Sequence, residues 1–183
     1  VDAVTFLDGY TTRHVPAPGQ RHYRVYESRA GKIWSLYPQG LLEFMNDEWQ
    51  RRPLEEFRLL PELSARVAPQ VPLLPAEQDR VLLLLPDRLA EYHSLANEFR
   101  VVRWARETRL GRFLDLLPAG DGGLWISGSN GLARLSGPLK QIGPQTVWSE
   151  HLVPDGLGLR QLQRPFEDDD GGLTAVAELA GSD

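Results

Sequence analysis

A chain of 183 residues and 20.6 kDa has room for one domain or two small ones. Roughly 70% of the unfolded surface of such a chain is lost on folding, so a core forms without staples. With 42% hydrophobic, 25% charged and 9% aromatic residues, the composition excludes a disordered, collagen-like or coiled-coil chain. A net charge of −5 argues against nucleic acid as a partner, and the absence of cysteine removes disulfides, zinc knuckles, thiol catalysis and cysteine-held clusters.

In chain order, Ala3-Val4-Thr5-Phe6-Leu7-Asp8-Gly9-Tyr10 reads as the end of a hairpin and the start of an outer strand. A strand at Tyr23–Tyr26 leads to Gly31-Lys32-Ile33-Trp34-Ser35-Leu36-Tyr37-Pro38-Gln39-Gly40-Leu41, a hairpin, and an outer strand follows near Glu48–Arg51. Short helical turns fit near Pro53–Val67, and the stretch holding Pro61, Pro69, Pro72 and Pro75 reads as an extended connection.

The same grammar then recurs. A strand at Val71–Leu74 precedes Asp79-Arg80-Val81-Leu82-Leu83-Leu84-Leu85-Pro86-Asp87-Arg88-Leu89, with an outer strand at Phe99–Trp104. Phe113–Leu116 precedes Gly122-Gly123-Leu124-Trp125-Ile126-Ser127-Gly128-Ser129-Asn130-Gly131-Leu132, with an outer strand at Thr146–Trp148. Leu159–Gln163 precedes a last start at Gly171-Gly172-Leu173. The starts at Gly31, Asp79, Gly122 and Gly171 lie 48, 43 and 49 residues apart. A period in the forties with four strands per unit predicts a β-propeller of about four blades, each a four-stranded antiparallel sheet.

The boundaries are a partial blade over 1–17, repeats over roughly 18–66, 67–109 and 110–156, and a partial blade over 157–183, all in one repeat domain. Two strands at each end make either one closing blade or the two faces of a cut through a longer array. A start at Val1 reads as a piece of a longer chain, and the longest apolar run, Val81–Leu85, falls far short of the ~20 residues of a membrane helix. Gln39-Gly40 and Asn130-Gly131 suggest tight turns at positive φ, and Arg88 in the matching place signals a strained or differently built turn. Leu89, Tyr92, Ala96, Phe99 and Val102 also fit a helical period, but a register shared three times outweighs it.

Asp121-Gly122-Gly123-Leu124-Trp125 through Gly131-Leu132-Ala133-Arg134-Leu135 resembles the repeat of the two-component regulator propeller family. So does Gly31-Lys32-Ile33-Trp34 through Gly40-Leu41-Leu42-Glu43-Phe44, whereas Leu82, Arg88 and Thr174 replace the family's Trp, Gly and Trp in the other two units. The resemblance implies a periplasmic sensor region ahead of a membrane helix and a histidine kinase or diguanylate cyclase. It implies a non-enzymatic module whose partner is a small molecule, a glycan or a protein. The alternatives are a protein–protein scaffold or self-assembling propeller fragment, and then a propeller lyase or hydrolase.

No cofactor, metal or catalytic constellation emerges. Trp34 and Trp125 share a repeat position, which favours packing between blades over a sugar platform, and Trp49, Trp104 and Trp148 lie in outer strands. Glu167-Asp168-Asp169-Asp170-Gly171 opens like a calcium loop, but Leu179 stands where the twelfth-position Glu belongs. His14, His22, His93 and His151 have no metal spacing, Ser127 spoils the G-x-S-x-G pattern, and Gln161 spoils a dinucleotide fingerprint from Gly156. The candidates for ligand binding are Arg100, Arg103, Trp104 and Arg106, in a period-three basic run that continues to Arg109 and Arg112. The competing reading of that run is a charged outer-strand edge that resists edge-to-edge pairing.

Overall fold

The computed structural model describes residues 3–8, 11–16, 24–28, 30–58, 71–77, 79–168 and 172–179. Two compact units, Val1–Val71 and Pro72–Asp183, divide the chain. In the first, β1 (Ala3–Asp8) and β2 (Thr11–Pro16) form an antiparallel hairpin. β3 (Val25–Glu27), β4 (Ile33–Tyr37), β5 (Gly40–Met45) and β6 (Glu48–Pro53) form a four-stranded antiparallel meander, followed by the single turn α1 (Glu55–Arg58).

The second unit repeats the meander twice. One sheet runs β7 (Leu73–Pro75), β8 (Arg80–Leu85), β9 (Arg88–His93), β10 (Glu98–Trp104), and the next runs β11 (Phe113–Pro118), β12 (Leu124–Gly128), β13 (Gly131–Leu135), β14 (Trp148–Leu152). A hairpin of β15 (Leu159–Glu167) and β16 (Leu173–Leu179) follows. The fold is all-β, with a strand overlapping each one read from the repeat; the last outer strand, expected near Thr146–Trp148, runs instead over Trp148–Leu152, and the helical period over 88–108 resolves into β9 and β10. Among the described residues no helix is long and apolar enough to cross a membrane. Most of the proline-rich connection lies outside the described residues.

Inner strands are apolar for a physical reason. Every residue of β8 is buried, because a central strand covered on both faces has no solvent side on which to place polar groups. β10, at the sheet edge, alternates exposed and covered residues instead. The core of the second unit runs through Leu82, Leu84, Leu89, Leu110, Phe113, Leu124, Ile126 and Leu135. In the first unit Trp34, Leu41 and Phe57 are fully buried.

Two backbone hydrogen bonds recur in each meander. Ser28, Ala76 and Ala119 each donate N–H to the carbonyl four residues on, of Lys32, Arg80 and Gly123, at 2.8, 2.9 and 2.9 Å. The residue after each outer strand then donates to the turn between the two central strands. These bonds are Leu54 N–H to the Gln39 carbonyl (2.9 Å), Ala105 to Asp87 (2.7 Å) and Val153 to Asn130 (3.0 Å).

The turn chemistry differs from expectation. The loops are Pro38-Gln39, Pro86-Asp87 and Ser129-Asn130; Gly40 has the expected positive φ (152°), whereas neither Asn130 nor Arg88 does. The left-handed pair is instead Asn46-Asp47 (φ 51° and 65°), the two-residue loop between β5 and β6, whose twist suits a hairpin. Glycine is needed at 40 and 131 chiefly for close approach. A Cβ on Gly40 would strike the backbone of Arg52 and Leu54, and one on Gly131 the backbone of His151. Arg88, in the same place one repeat on, is accommodated by a bulge in β10 between Val101 and Arg103 that shifts its register.

Charge is buried in a repeated pattern too. Glu43 is completely buried and is ion-paired by Lys32 and by Arg52 (Nε–Oε2 2.9 Å). Forty-eight residues on, Arg80 meets Glu91 and donates to the carbonyls of Leu139 (3.1 Å), Lys140 (2.7 Å) and Ile142, stitching the β8–β9 hairpin to the 3-10 turn over Leu139–Gln141. In the next unit the sign reverses: Arg134 stands in the Glu place and pairs back to Asp121.

Removing Arg80 leaves the Glu91 carboxylate buried, with Arg100 at 3.7 Å its remaining cation among the described residues. Arg80→Met is expected to cost about 3–5 kcal/mol in urea unfolding, and the double variant with Glu91→Leu less than either single change. A single-variant cost below about 1 kcal/mol would mean that the pair behaves like an exposed one. Asp121 is held below its ordinary value by the Gly123 N–H (3.0 Å) and the Arg134 guanidinium. A depressed carboxylate contributes stability above its unfolded pKa of 3.8 and loses it as pH falls through the lower folded value. The melting-temperature gap between wild type and Asp121→Asn should therefore be open at pH 7 and close progressively below pH 3.8; a gap independent of pH would remove this account.

Candidate functional site

The loops at one end of the second unit converge on the Ser129-Asn130 turn. The turn donates from Ser129 N–H to the Arg112 carbonyl and from Asn130 N–H to the Leu110 carbonyl, both at 2.9 Å. It accepts from Val153 N–H at Asn130 (3.0 Å) and from Gln161 N–H at Ser129 (3.1 Å). Side chains add to this. The Ser129 Oγ accepts from Arg112 N–H (3.1 Å) and donates to the Leu110 carbonyl (3.3 Å), and Asn130 Nδ2 donates to the Arg109 carbonyl (3.3 Å). One tight turn therefore ties the segment before β11 to the segment before β15.

An open groove of about 960 Å³ lies over that junction. Among the described residues its charged lining is Arg109, Arg112, Arg160 and Asp155. Leu114, Leu152 and Leu159 supply apolar wall, and Gln161 a neutral amide. Arg109 is fixed at the rim by Glu150, with Nε–Oε2 at 3.0 Å. Gly156 (φ 91°) and Gly158 (φ 63°) let the 153–158 segment turn sharply into β15.

Arg112 and Arg160 are equivalent residues. They lie 48 apart, and each precedes an inner-strand residue that donates N–H to the neighbouring hairpin turn: Phe113 to the Pro86 carbonyl (2.9 Å) and Gln161 to that of Ser129 (3.1 Å). The pairing register breaks just after each of them, between Phe113 and Asp115 and between Arg160 and Gln163. Gln161 carries the strain of the second break, with φ of 53° in the left-handed region. Bulges re-aim side chains at functional rims.

The basic run read from the sequence is divided. Arg100 lies 3.7 Å from Glu91. Arg103 donates to the carbonyls of Pro144 (3.3 Å) and Thr146 (3.2 Å) and stacks over Trp148. Trp104 is covered by Arg88 at 5.0 Å and Arg106 at 4.8 Å. None of Arg100, Arg103, Trp104 and Arg106 lines the groove, which takes the end of the run, Arg109 and Arg112. Arg160 and Gln161 escaped the sequence reading; the 48-residue offset from Arg112 was the signal that could have found them.

Other sequence candidates resolve simply. Trp34 is fully buried, and Trp125 is half-buried beneath Arg134 at 5.2 Å. Ser127-Gly128-Ser129-Asn130-Gly131 is a hairpin turn, as its context suggested. His151 lies beside Trp125 at 5.8 Å, while His22 and the side chain of His14 fall outside the description. Asp169, Asp170 and Gly171 of the acidic stretch lie outside the described residues, and among those described no group of three or more acidic or histidine residues could hold a metal.

No family model matches the chain, and no curated protein matches it by sequence. Solved structures do match in fold. Virginiamycin B lyase from Staphylococcus aureus matches at 11% identity and a TM-score of 0.57, over 96% of this chain and 56% of the lyase. The same enzyme, inactivated by a histidine-to-alanine replacement and bound to quinupristin, matches at 10% identity and 0.61, over 96% and 56%. The extracellular domain of a hybrid two-component system from B. thetaiotaomicron matches at 15% identity and 0.58, over 97% of this chain and 23% of that domain. The four-stranded sheets thus match portions of β-propeller structures, and the chain spans about half the lyase and a quarter of the sensor domain.

The left-handed bulge at Gln161 yields a prediction. A non-glycine residue there bears a cost of order 1–3 kcal/mol, and a β-branched one fits worst. Gln161→Gly should leave stability unchanged or raise it by about 1 kcal/mol. Gln161→Val should lower it by at least about 1 kcal/mol. Equal effects in denaturant unfolding would show that the bulge is not strained.

Proposed function

We propose that this chain is a non-enzymatic, ligand-binding propeller segment, serving in the extracytoplasmic input region of a bacterial two-component or cyclic-di-nucleotide signalling protein. The groove at the Ser129-Asn130 turn carries the reading. Its charged groups among the described residues are three arginines and one aspartate, and a guanidinium supplies a planar set of N–H donors that suits holding and orienting a ligand. The fold likeness to the extracellular domain of a two-component system and the two well-formed family repeats support the sensor setting. A ligand touching the segments before β11 and before β15 would favour one arrangement of those loops, and it transmits only through that difference in affinity.

Two other readings have support of their own. Likeness to virginiamycin B lyase favours a propeller lyase. Phe166, Val176 and Leu179, exposed at 61%, 59% and 62% on the β15–β16 hairpin, favour an interaction scaffold. Incubation with quinupristin and with acidic and neutral oligosaccharides, followed by melting curves and mass spectrometry, separates them. At least one oligosaccharide should raise the melting temperature by several degrees at saturation, with every compound recovered intact. A new chromatographic product, isomeric with the parent where a ring is opened by elimination or a pair of unsaturated fragments where an oligosaccharide is cut, would establish the lyase, and a melting temperature unmoved by any compound would favour the scaffold.

A further inference from the structure

We propose that Asp155-Gly156, in the turn ahead of β15, is a site of self-modification that converts spontaneously to isoaspartate through a cyclic imide. Two other pairs with the same reactive pattern, Asp121-Gly122 and Asn130-Gly131, are held from doing so by their hydrogen bonds.

The chemistry is intramolecular and needs only water. The Gly156 backbone nitrogen bonds to the side-chain carboxyl carbon of Asp155, and the acid's hydroxyl leaves with the amide proton as water. A second water then opens the five-membered imide. Breaking the bond from nitrogen to the side-chain carbon restores aspartate, and breaking the bond from nitrogen to the main-chain carbonyl carbon gives isoaspartate. The main chain then runs through the former side chain, so it gains one methylene while the carboxylate count stays the same. A glycine after the acid favours the attack, because no Cβ crowds the nitrogen and the backbone turns easily. A backbone amide or side chain already engaged must first be released by local opening, which slows the step.

All three pairs have the permissive sequence, and the fold separates them. Asp155 and Gly156 are exposed, as are Pro154 and Leu157 on either side. The hydrogen bond across this turn runs from Leu157 N–H to the Pro154 carbonyl at 3.4 Å and uses neither the Asp155 carboxylate nor the Gly156 N–H. Gly156 has a φ of 91° and open space where a Cβ would project. At Asp121-Gly122 both reacting groups are taken. Gly122 N–H donates to the Ala119 carbonyl (2.9 Å), and the Asp121 carboxylate accepts from Gly123 N–H (3.0 Å) and pairs with Arg134. Those contacts keep that carboxyl ionised to lower pH, and an ionised carboxylate has no hydroxyl to lose as water. At Asn130-Gly131 the side-chain amide donates to the Arg109 carbonyl (3.3 Å), and Gly131 lies in β13, paired with Gly128 and with Leu152.

Asp155, Gly156 and Gly158 line the groove, so the added methylene would lengthen a segment of its wall between β14 and β15.

Ageing the whole chain in mildly acidic buffer, once folded and once in guanidinium chloride, tests this by product mapping. Labelling by an isoaspartyl methyltransferase and electron-transfer fragmentation locate isoaspartate, and a mass change marks deamidation of Asn130. The tryptic peptide over 141–160 holds Asp155 and no other Asp or Asn, so its label reports this site. In the folded chain isoaspartate at 155 should form within about threefold of its rate in denaturant, because the turn opens at almost no cost. Products at 121 and 130 should form at least about tenfold more slowly than in denaturant. Asp155→Glu, which would need a six-membered imide, should lose the label from that peptide, with melting curves confirming that the variant is folded. Slowing at 155 as great as at 121 and 130, no slowing at any of the three, or label that persists on the Asp155→Glu peptide overturns the proposal.

Discussion

Everything in this chain depends on how the turn between the two central strands of each meander is closed. A two-residue loop joins those strands, and its last carbonyl accepts a backbone N–H from the residue that follows the outer strand. This bond sets the length of the outer strand and its register at once. A slip by one residue would turn every side chain to the opposite face. The requirement explains why glycine follows the loop at 40 and 131, where the outer strand's backbone comes too close for a Cβ. It also explains why the one meander with Arg88 there carries a bulge in its outer strand. The bond survives the substitution; the strand yields.

Buried charge works within that frame. Glu43 and Glu91 occupy the same repeat position, inside sheets whose central strands are mostly apolar, and each needs cations to offset the loss of water. Arg80 does more than neutralise, since it also satisfies three carbonyls near the 3-10 turn and so gives a loop without sheet hydrogen bonds a fixed place. Arg103 plays a similar part a few residues further on, binding the carbonyls of Pro144 and Thr146. Arginines that look in the sequence like one basic patch thus serve two ends, loop anchoring at Arg103 and groove lining at Arg109 and Arg112.

The same closing turn builds the groove. In the β12–β13 hairpin the loop residues are Ser129 and Asn130, small polar residues whose side chains bond back to the preceding segment while their backbones serve both neighbours. A bulkier or apolar pair would close the hairpin equally well and keep the backbone bonds, but would lose the side-chain bonds to Arg109, Leu110 and Arg112. Stability of the repeat and preparation of the groove are therefore one set of interactions, with a left-handed residue at its edge, Gln161.

The sequence by itself determined the repeat, the strand order and the inner-strand core. Period and local turn residues encode those features, and three copies of the pattern reinforce one another. It also placed Trp34 and Trp125 at one repeat position, although Trp34 is fully buried and Trp125 only half so. Only the tertiary structure decided which loop carries the left-handed pair, because Asn130-Gly131 and Asn46-Asp47 differ in the strands they join rather than in composition. Only it divided the basic run, since alternate faces and a bulge at Val102 send residues three apart in sequence to different neighbours. And only it brought Arg160 beside Arg112, through hydrogen bonds to a turn that lies between them in the chain, a contact no local pattern records.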